Sequence, residues 1–168
     1  IKFIHVSTDC VFSGKKGNYR ENSIKDSKDL YGLTKSRGEV KNKCTATIRT
    51  SFIGPEYSSN KSLLSWFLSR NSQVKGFSRA FFSGITSVEL SKIIYNFFLK
   101  SNKFYNSITN IGSYRISKYD LLIQINNIFK KKIIIEKFPD FQIDRSLNSY
   151  KFQKISKYKQ KNWKKILN

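Results

Sequence analysis

The chain has 168 residues, of which 39% are hydrophobic and 15% aromatic. This composition allows one domain with a substantial core and excludes an intrinsically disordered protein. The longest apolar runs span only a few residues, which excludes a membrane-spanning helix.

The charge is strongly positive. Lys and Arg total 32 against 11 acidic residues, for a formal net charge of +21, and such an excess is typical of proteins that bind nucleic acids. Lysines are scattered along the sequence and outnumber arginines, although Arg is the residue that grips phosphates in two places. We therefore interpret the charge as compositional drift and keep nucleic-acid binding as a minor alternative. That alternative predicts a log affinity that falls steeply with log salt, by about 0.9 per phosphate contacted.

The ends and the cysteines give further expectations. The start lacks the basic and apolar segments of a secretory signal, so we expect a cytoplasmic protein. Cys10 and Cys44 have no partner pattern, so we predict neither a disulfide nor a metal site. The sequence contains no Met and opens inside a predicted strand, so we expect it to be the carboxyl-terminal portion of a longer protein.

Strands and helices alternate in the first third of the chain. This order favours a parallel α/β sheet. The predicted elements are a strand over 2–6, a loop over 9–28, a helix over 29–41, and a strand over 46–49 that ends at Thr50-Ser51.

The rest of the chain reads as further helices and short strands. Thr86 and Glu89 form a capping box before one apolar stripe, and Ser117 and Asp120 give a second start signal. The tail from Ser149 is basic and weakly patterned. The other predicted elements are a helix over 63–68 and strands over 74–77 and 133–135.

Tyr31 and Lys35 carry the main chemical signal. Residues four apart share one face of a helix, so the Lys ammonium can lie beside the Tyr oxygen and stabilise a phenolate. Such a phenol can donate a proton to a carbonyl oxygen. This spacing alone is common on helix faces, but Thr8, and with it Ser7, ends the preceding strand and would reach the same cleft. A hydroxyl there could stabilise a developing oxyanion.

Three segments resemble one known family. They are Val6-Ser7-Thr8-Asp9-Cys10-Val11-Phe12-Ser13-Gly14, Tyr31-Gly32-Leu33-Thr34-Lys35-Ser36-Arg37-Gly38-Glu39 and Ile48-Arg49-Thr50-Ser51. Their joint spacing is similar to that of the extended short-chain dehydrogenase/reductases, most closely the dTDP-4-dehydrorhamnose reductase branch. The later segment 144–152 resembles the substrate-binding motif of this branch.

The resemblance implies roles for individual residues. Catalysis would involve Thr8 as a hydroxyl, Tyr31 as the proton donor to the C4 oxygen of a 4-keto sugar, and Lys35, which tunes Tyr31 and holds the nicotinamide ribose. The implied cofactor-binding residues are Tyr31, Lys35, Thr50 and Ser51. The implied substrate-binding residues are Ser7, Asp9, Val11, Phe12, Arg145 and Ser146, with Arg145 and Ser146 on the nucleotide diphosphate.

The implied fold is α/β, the carboxyl-terminal part of a Rossmann-like NAD(P)-binding fold with a smaller α/β substrate-binding region. Residues 1–53 would belong to the Rossmann-like part, and 54–168 mainly to the sugar-nucleotide region, which could return strands to the sheet. No glycine-rich first turn is present, so we expect this chain alone to be inactive, with an exposed sheet edge.

The implied activity is reduction of a nucleotide-linked 4-keto-6-deoxysugar by NADPH, or by NADH, for cell-surface polysaccharide precursors, without a metal. A homodimer is compatible with it. Alternatives are a non-catalytic sugar-nucleotide-binding or regulatory subunit and an epimerase or dehydratase of the same fold.

Three residues have simpler alternative interpretations. Arg145 could form a surface ion pair with Asp144 or Glu136. Cys10 is expected to be a small core residue and His5 a packed neighbour in its strand.

Overall fold

The computed structural model describes residues 2–56, 59, 61–101 and 105–167, which form a mixed α/β structure. The strands are β1 Phe3–Thr8, β2 Thr45–Thr50, β3 Phe52–Ile53, β4 Gln73–Phe82, β5 Ile85–Thr86, β6 Ile108–Asn110, β7 Ile116–Ser117 and β8 Ile134–Asp144. The helices are α1 Leu30–Arg37, α2 Leu63–Leu68, α3 Ser87–Ile93, α4 Lys118–Ile128, α5 Tyr150–Ser156 and α6 Trp163–Leu167. A 3₁₀ turn, Asp9–Val11, follows β1, and a π-helical segment, Ile94–Leu99, follows α3.

The first sheet is parallel, with strand order β1-β2-β6. Its register places Thr8 opposite Thr50 and Ser7 opposite Arg49. The two strands therefore end side by side, and the residues that follow them share one edge of the sheet. The predicted α/β class is confirmed. In the described part of the chain, β1 pairs on one side only, so it forms a sheet edge.

A second sheet of order β7-β4-β8 is built by the later part of the chain, with β8 parallel and β7 antiparallel to β4. Helices α2, α4 and α6 contribute to the core against it, which includes Phe67, Phe82, Leu121 and Trp163.

The first sheet has its own core. Ala46 and Ile48 of β2 pack with Leu90, Phe98 and other buried side chains from the helices that follow. The strand β6, although late in the sequence, pairs with β2, so the later part of the chain returns a strand to the first sheet. The division at residues 53 and 54 stays a prediction.

The first helix is shorter than predicted. Helix α1 begins after Asp29, whose side chain accepts from the Gly32 amide, and ends at Arg37 instead of residue 41. The Glu39 side chain turns inward to Arg49, so the chain leaves the helical path there.

Both strands predicted in the later part are longer than expected. The prediction over 74–77 extends to β4, and the prediction over 133–135 extends to β8. Ile133 is buried but Ile134 is 67% exposed, because only one face of β8 packs on the core. The short apolar run therefore marked the start of a half-exposed strand.

Only one of the two hydrogen bonds of the predicted capping box forms before α3. The Thr86 hydroxyl oxygen accepts from the Glu89 amide, as predicted. The Glu89 carboxylate does not return to the cap, because it accepts hydrogen bonds from Tyr158 and Lys161. These partners come from the tail, which contains helices α5 and α6 that its weak pattern did not predict.

No helix among the described residues is long and apolar enough to span a bilayer.

Candidate active site

A cleft of about 600 Å³ opens where β1 and β2 end. Ligands of open parallel sheets bind at this position, beyond the carboxyl ends of the strands. The residues that line the cleft are Val6, Ser7, Thr8, Asp9, Cys10, Tyr31, Lys35, Thr50, Ser51, Phe52 and Leu90. The structure thus brings together the three predicted catalytic residues and all of the predicted cofactor-binding residues.

Thr8 is held by the turn that follows it. Its Oγ1 accepts a hydrogen bond from the Cys10 amide at 3.1 Å and donates to Asp9 Oδ1 at 3.2 Å. Thr8 is the N-cap of the 3₁₀ turn and is buried. Its hydroxyl therefore has a fixed position in the cleft.

Tyr31 and Lys35 lie one turn apart on α1. Lys35 Nζ donates to the Val6 carbonyl oxygen at 2.6 Å, which ties the helix to β1. The Tyr31 side chain is 57% exposed at the mouth of the cleft. A ligand in the cleft can therefore reach the phenol, while the ammonium stays anchored.

Gly32 allows α1 to approach the turn after β1. A Cβ at this position would meet the Ser27 hydroxyl and the Cys10 carbonyl oxygen. Asp29 fixes the same helix end, since its carboxylate accepts from the Gly32 amide and from Ser27, both at 2.7 Å. The same hydrogen bonds lower the pKa of Asp29. The glycine between Tyr31 and Lys35 is thus a packing requirement.

Thr50 and Ser51 form the β2 side of the cleft. Thr50 is buried, and its Oγ1 donates to the Ser51 carbonyl oxygen at 3.3 Å. That carbonyl also accepts from the Ile85 amide at 2.9 Å. The end of β2 is therefore fixed to the strand pair β3 and β5.

Asp9 lies between the cleft and a second cavity. Burial raises its pKa, and the positive charge of Lys118 and the hydrogen bond from Thr8 oppose that shift. The residue is almost inaccessible to solvent, and it lines both cavities.

The second cavity, which we call the aromatic cavity, has a volume of about 310 Å³. It shares Asp9, Cys10 and Ser51 with the cleft, so the two cavities adjoin at these residues. Its other lining residues are Phe77, Ala80, Phe81, Phe82, Lys118, Phe141, Ile143 and Arg145. Cys10 therefore lies at the junction of two cavities and not, as expected, in the core.

Arg145 is at the aromatic cavity, as a substrate-binding role requires. Its Nε donates to the Phe12 carbonyl oxygen at 3.0 Å, and its Nη1 donates to Cys10 Sγ at 3.3 Å. The nearest carboxylate oxygen is on Asp29, 3.6 Å from Nη2. The alternative ion pairs do not form among the described residues, because Asp144 pairs with Arg115 and Glu136 accepts from Gln73.

Three predicted substrate-binding residues lie outside both cavities. Val11 and Phe12 are completely buried and pack with Tyr19 and Leu147, so only the Phe12 backbone contacts a cavity residue. Ser146 Oγ accepts from the Asn18 amide at 2.8 Å. In this structure these side chains hold the loop behind the site.

A buried polar network supports the cleft from behind. Arg49 Nε and Nη2 donate to the two carboxylate oxygens of Glu39 at 2.8 and 2.7 Å, and Ser7 Oγ donates to the same carboxylate at 2.7 Å. Burial opposes ionisation of Glu39, but the hydrogen bonds from Arg49 and Ser7 outweigh it and lower the pKa of Glu39. The sequence motifs contained both residues, but spacing did not reveal their contact.

Lys118 is the charged residue of the aromatic cavity that sequence reasoning did not assign to the site. It is the first residue of α4, after the Ser117 cap, and the start signal gave it no role beyond the beginning of a helix. Instead it is half-buried, with Nζ 3.6 Å from the centre of the Phe82 ring. Burial lowers its pKa, while Asp9 and Cys10 act in the opposite direction.

The cleft fits one end of a nicotinamide cofactor. Lys35 and Tyr31 carry donors, Thr50 and Ser51 carry hydroxyl groups, and all four residues line the cleft. These groups suit a ribose and an amide. The sequence provides no glycine-rich turn for the pyrophosphate, so only the nicotinamide end is accounted for.

Comparisons with known proteins agree with this arrangement. The sequence profile of the RmlD substrate binding domain matches residues 1–76. No curated protein sequence matches the chain significantly.

The fold is similar to that of solved structures. A hypothetical dTDP-4-dehydrorhamnose reductase from Sulfolobus tokodaii is 28% identical, with a TM-score of 0.76 over 92% of this chain and 58% of that one. The dTDP-4-dehydrorhamnose reductase of Bacillus anthracis in complex with NADP is 17% identical, with a TM-score of 0.80 over 99% of this chain and 63% of that one. The dTDP-glucose 4,6-dehydratase of the same organism in complex with NAD is 17% identical, with a TM-score of 0.74 over 99% of this chain and 59% of that one.

The chain therefore spans about three fifths of each of these proteins. The fold they share serves proteins described as a reductase and a dehydratase. The predicted resemblance to the dTDP-4-dehydrorhamnose reductase branch is confirmed by the match of residues 1–76 to the RmlD substrate binding domain and by the similarity of the fold to these reductases.

Proposed function

We propose that the protein carrying this chain reduces the ketone of a nucleotide-linked 4-keto-6-deoxysugar with NADPH. The observation that carries the proposal is the meeting of Thr8, Tyr31 and Lys35 in one cleft at the ends of β1 and β2. The setting would be cytoplasmic synthesis of a cell-surface polysaccharide precursor.

The residues of the chain would handle the proton. Tyr31 donates its phenolic proton to the C4 oxygen, and the Lys35 ammonium, held by the Val6 carbonyl, stabilises the phenolate that remains. The Thr8 hydroxyl donates to the same oxygen as negative charge develops on it. To do so it must exchange its present hydrogen bond to Asp9 for one to the substrate. The bound nicotinamide cofactor supplies the hydride.

Lys35, with Tyr31, would hold the nicotinamide ribose, and Thr50 and Ser51 would contact the cofactor. Asp9 and Arg145 would contact the substrate from the junction and the aromatic cavity. For Ser7, Val11, Phe12 and Ser146 we propose an indirect role, since their side chains pack or hydrogen-bond within the protein.

The test is NADPH oxidation by the full-length protein with a dTDP-4-keto-6-deoxysugar. Tyr31→Phe removes the proton donor and should reduce kcat by roughly 10²- to 10⁴-fold. Tyr95→Phe is a matched control, because Tyr95 is 58% exposed, lies in the π-helical segment and does not line the cleft. Equal activity of the Tyr31→Phe and wild-type proteins would exclude the proposed mechanism.

The same assay separates the other candidates. An epimerase or dehydratase, as the similarity to a dehydratase suggests, would convert the sugar without net oxidation of NADPH. A non-catalytic subunit would bind the sugar nucleotide without converting it. This chain on its own is proposed to be inactive, since it contains no glycine-rich pyrophosphate turn. A homodimer stays a prediction.

A further inference from the structure

The aromatic cavity is lined by two cations, Lys118 and Arg145, that differ in their protein partners. Among the described residues, the Lys118 ammonium forms no hydrogen bond or ion pair, and its close contact is the face of the Phe82 ring. The Asp9 carboxylate is near enough to interact with it electrostatically but does not form an ion pair with it. The ammonium therefore keeps N–H donors that no oxygen of the described residues accepts from, and it can donate them to a ligand.

This arrangement is costly without a ligand. A charge taken partly out of water loses hydration, and a ring face compensates only in part. Burial accordingly disfavours the charged form of Lys118. An anionic ligand in the cavity would restore the lost interactions.

Arg145, the other cation of the cavity, is already engaged. Its Nε and Nη1 donate to the Phe12 carbonyl oxygen and to Cys10 Sγ, and its Nη2 lies 3.6 Å from Asp29. Arg145 therefore fixes the turn between the cleft and the cavity, since two of its five N–H donors are used there and Nη2 is paired with Asp29. Lys118 is the more available cation.

We propose that Lys118 is a main ligand of the diphosphate of the sugar nucleotide, a role the sequence assigned to Arg145 and Ser146. The inference rests on the proposed function for the class of substrate. The cleft would take the sugar and the aromatic cavity the diphosphate. Phenylalanine rings of the cavity offer a surface for the base, and Phe77 and Phe141 lie 5.3 Å apart between ring centres.

The test measures binding of thymidine diphosphate and of thymidine to the full-length protein by calorimetry. Lys118→Met removes a charge-assisted contact and should weaken thymidine diphosphate binding by about 10- to 100-fold, without changing thymidine binding. Lys118→Arg keeps the cation and should retain most of the affinity. Lys75→Met is the matched control, because Lys75 also lies over a ring, with Nζ 4.7 Å from the centre of Phe138, but is exposed and outside the cavity.

Several outcomes would overturn the inference. One is a wild-type protein that does not bind thymidine diphosphate, and another is a Lys118→Met protein that binds it with unchanged affinity. A third is a Lys75→Met protein that loses as much affinity for thymidine diphosphate as Lys118→Met does. The last is a Lys118→Met protein that loses as much affinity for thymidine as for thymidine diphosphate. Lys118-dependent binding without NADPH oxidation would support the inference and count against the reductase proposal. NADPH oxidation together with binding that does not depend on Lys118 would support the reductase proposal and count against the inference.

Discussion

Two polar regions of the molecule, the network of Arg49, Glu39 and Ser7 and the aromatic cavity, differ in how their charges are satisfied. Behind the cleft, Arg49 is almost inaccessible, and its donors are taken by Glu39 and by the Glu21 carbonyl oxygen. In the aromatic cavity, the Lys118 ammonium lies over the Phe82 ring and forms no hydrogen bond or ion pair among the described residues. The first region is complete without a ligand and fixes the ends of β1 and β2. The second offers a charge that a ligand can satisfy.

The largest effect on stability should come from breaking the network of Arg49, Glu39 and Ser7 behind the cleft. Arg49→Met leaves Glu39 buried without its main partner and should lower the free energy of unfolding by about 3 to 5 kcal/mol, measured by urea denaturation. Arg115→Met is the control, because Arg115 pairs with Asp144 on the surface, where such a pair contributes about 0 to 1 kcal/mol. Similar losses in both variants would show that burial does not distinguish the two pairs.

The same network predicts how stability depends on pH. The pKa of Glu39 is lowered in the folded protein, so its contribution is complete above the pKa of the unfolded chain, near 4.5, and is lost as pH falls through the lower folded value. Wild-type protein should therefore lose stability on acidification below about pH 4.5 more steeply than Glu39→Gln, which has no carboxyl group to titrate here. Parallel slopes for the two proteins, from denaturation at several pH values, would contradict this assignment.

A smaller effect is expected at the contact between α1 and the turn. Gly32→Ala places a Cβ against the Cys10 carbonyl oxygen and the Ser27 hydroxyl, and should cost about 1 to 3 kcal/mol despite the better helix propensity of Ala. At Gly38, a Cβ would approach no closer than 3.3 Å to a side-chain carbon of His5, so Gly38→Ala should change stability by less than about 1 kcal/mol. A stable, fully active Gly32→Ala protein would show that this close contact is not required.

The cleft and the aromatic cavity also differ in how much of them the sequence could predict. Thr8, Tyr31 and Lys35 lie within 28 consecutive residues, and each follows from local structure: the end of a strand or one face of a helix. The parallel sheet followed from the order of the elements for the same reason. These features need no knowledge of distant contacts.

The aromatic cavity could not be predicted in this way. It joins the turn after β1 to β4, α4 and β8, so its members meet only through the sheet pairing. Val11 and Phe12 carry apolar side chains that suit a pocket or a core equally well, and the packing of Tyr19 and Leu147 decides for the core. Lys118 was not assigned to the site because its sequence neighbours do not reveal the Phe82 ring above which it lies.

The smallest effect on stability should come from Lys118 itself. Because its ammonium loses hydration and gains no ion pair within the described structure, Lys118→Met should change the free energy of unfolding by no more than about 1 kcal/mol. The folded pKa is lowered, so the wild-type protein should gain stability as pH rises from the folded value toward that of the unfolded chain, and the variant should not. Urea denaturation of both proteins from neutral to alkaline pH checks this. A loss above about 2 kcal/mol at neutral pH would mean that Lys118 holds the fold together as Arg49 does, and the difference between the two regions would disappear.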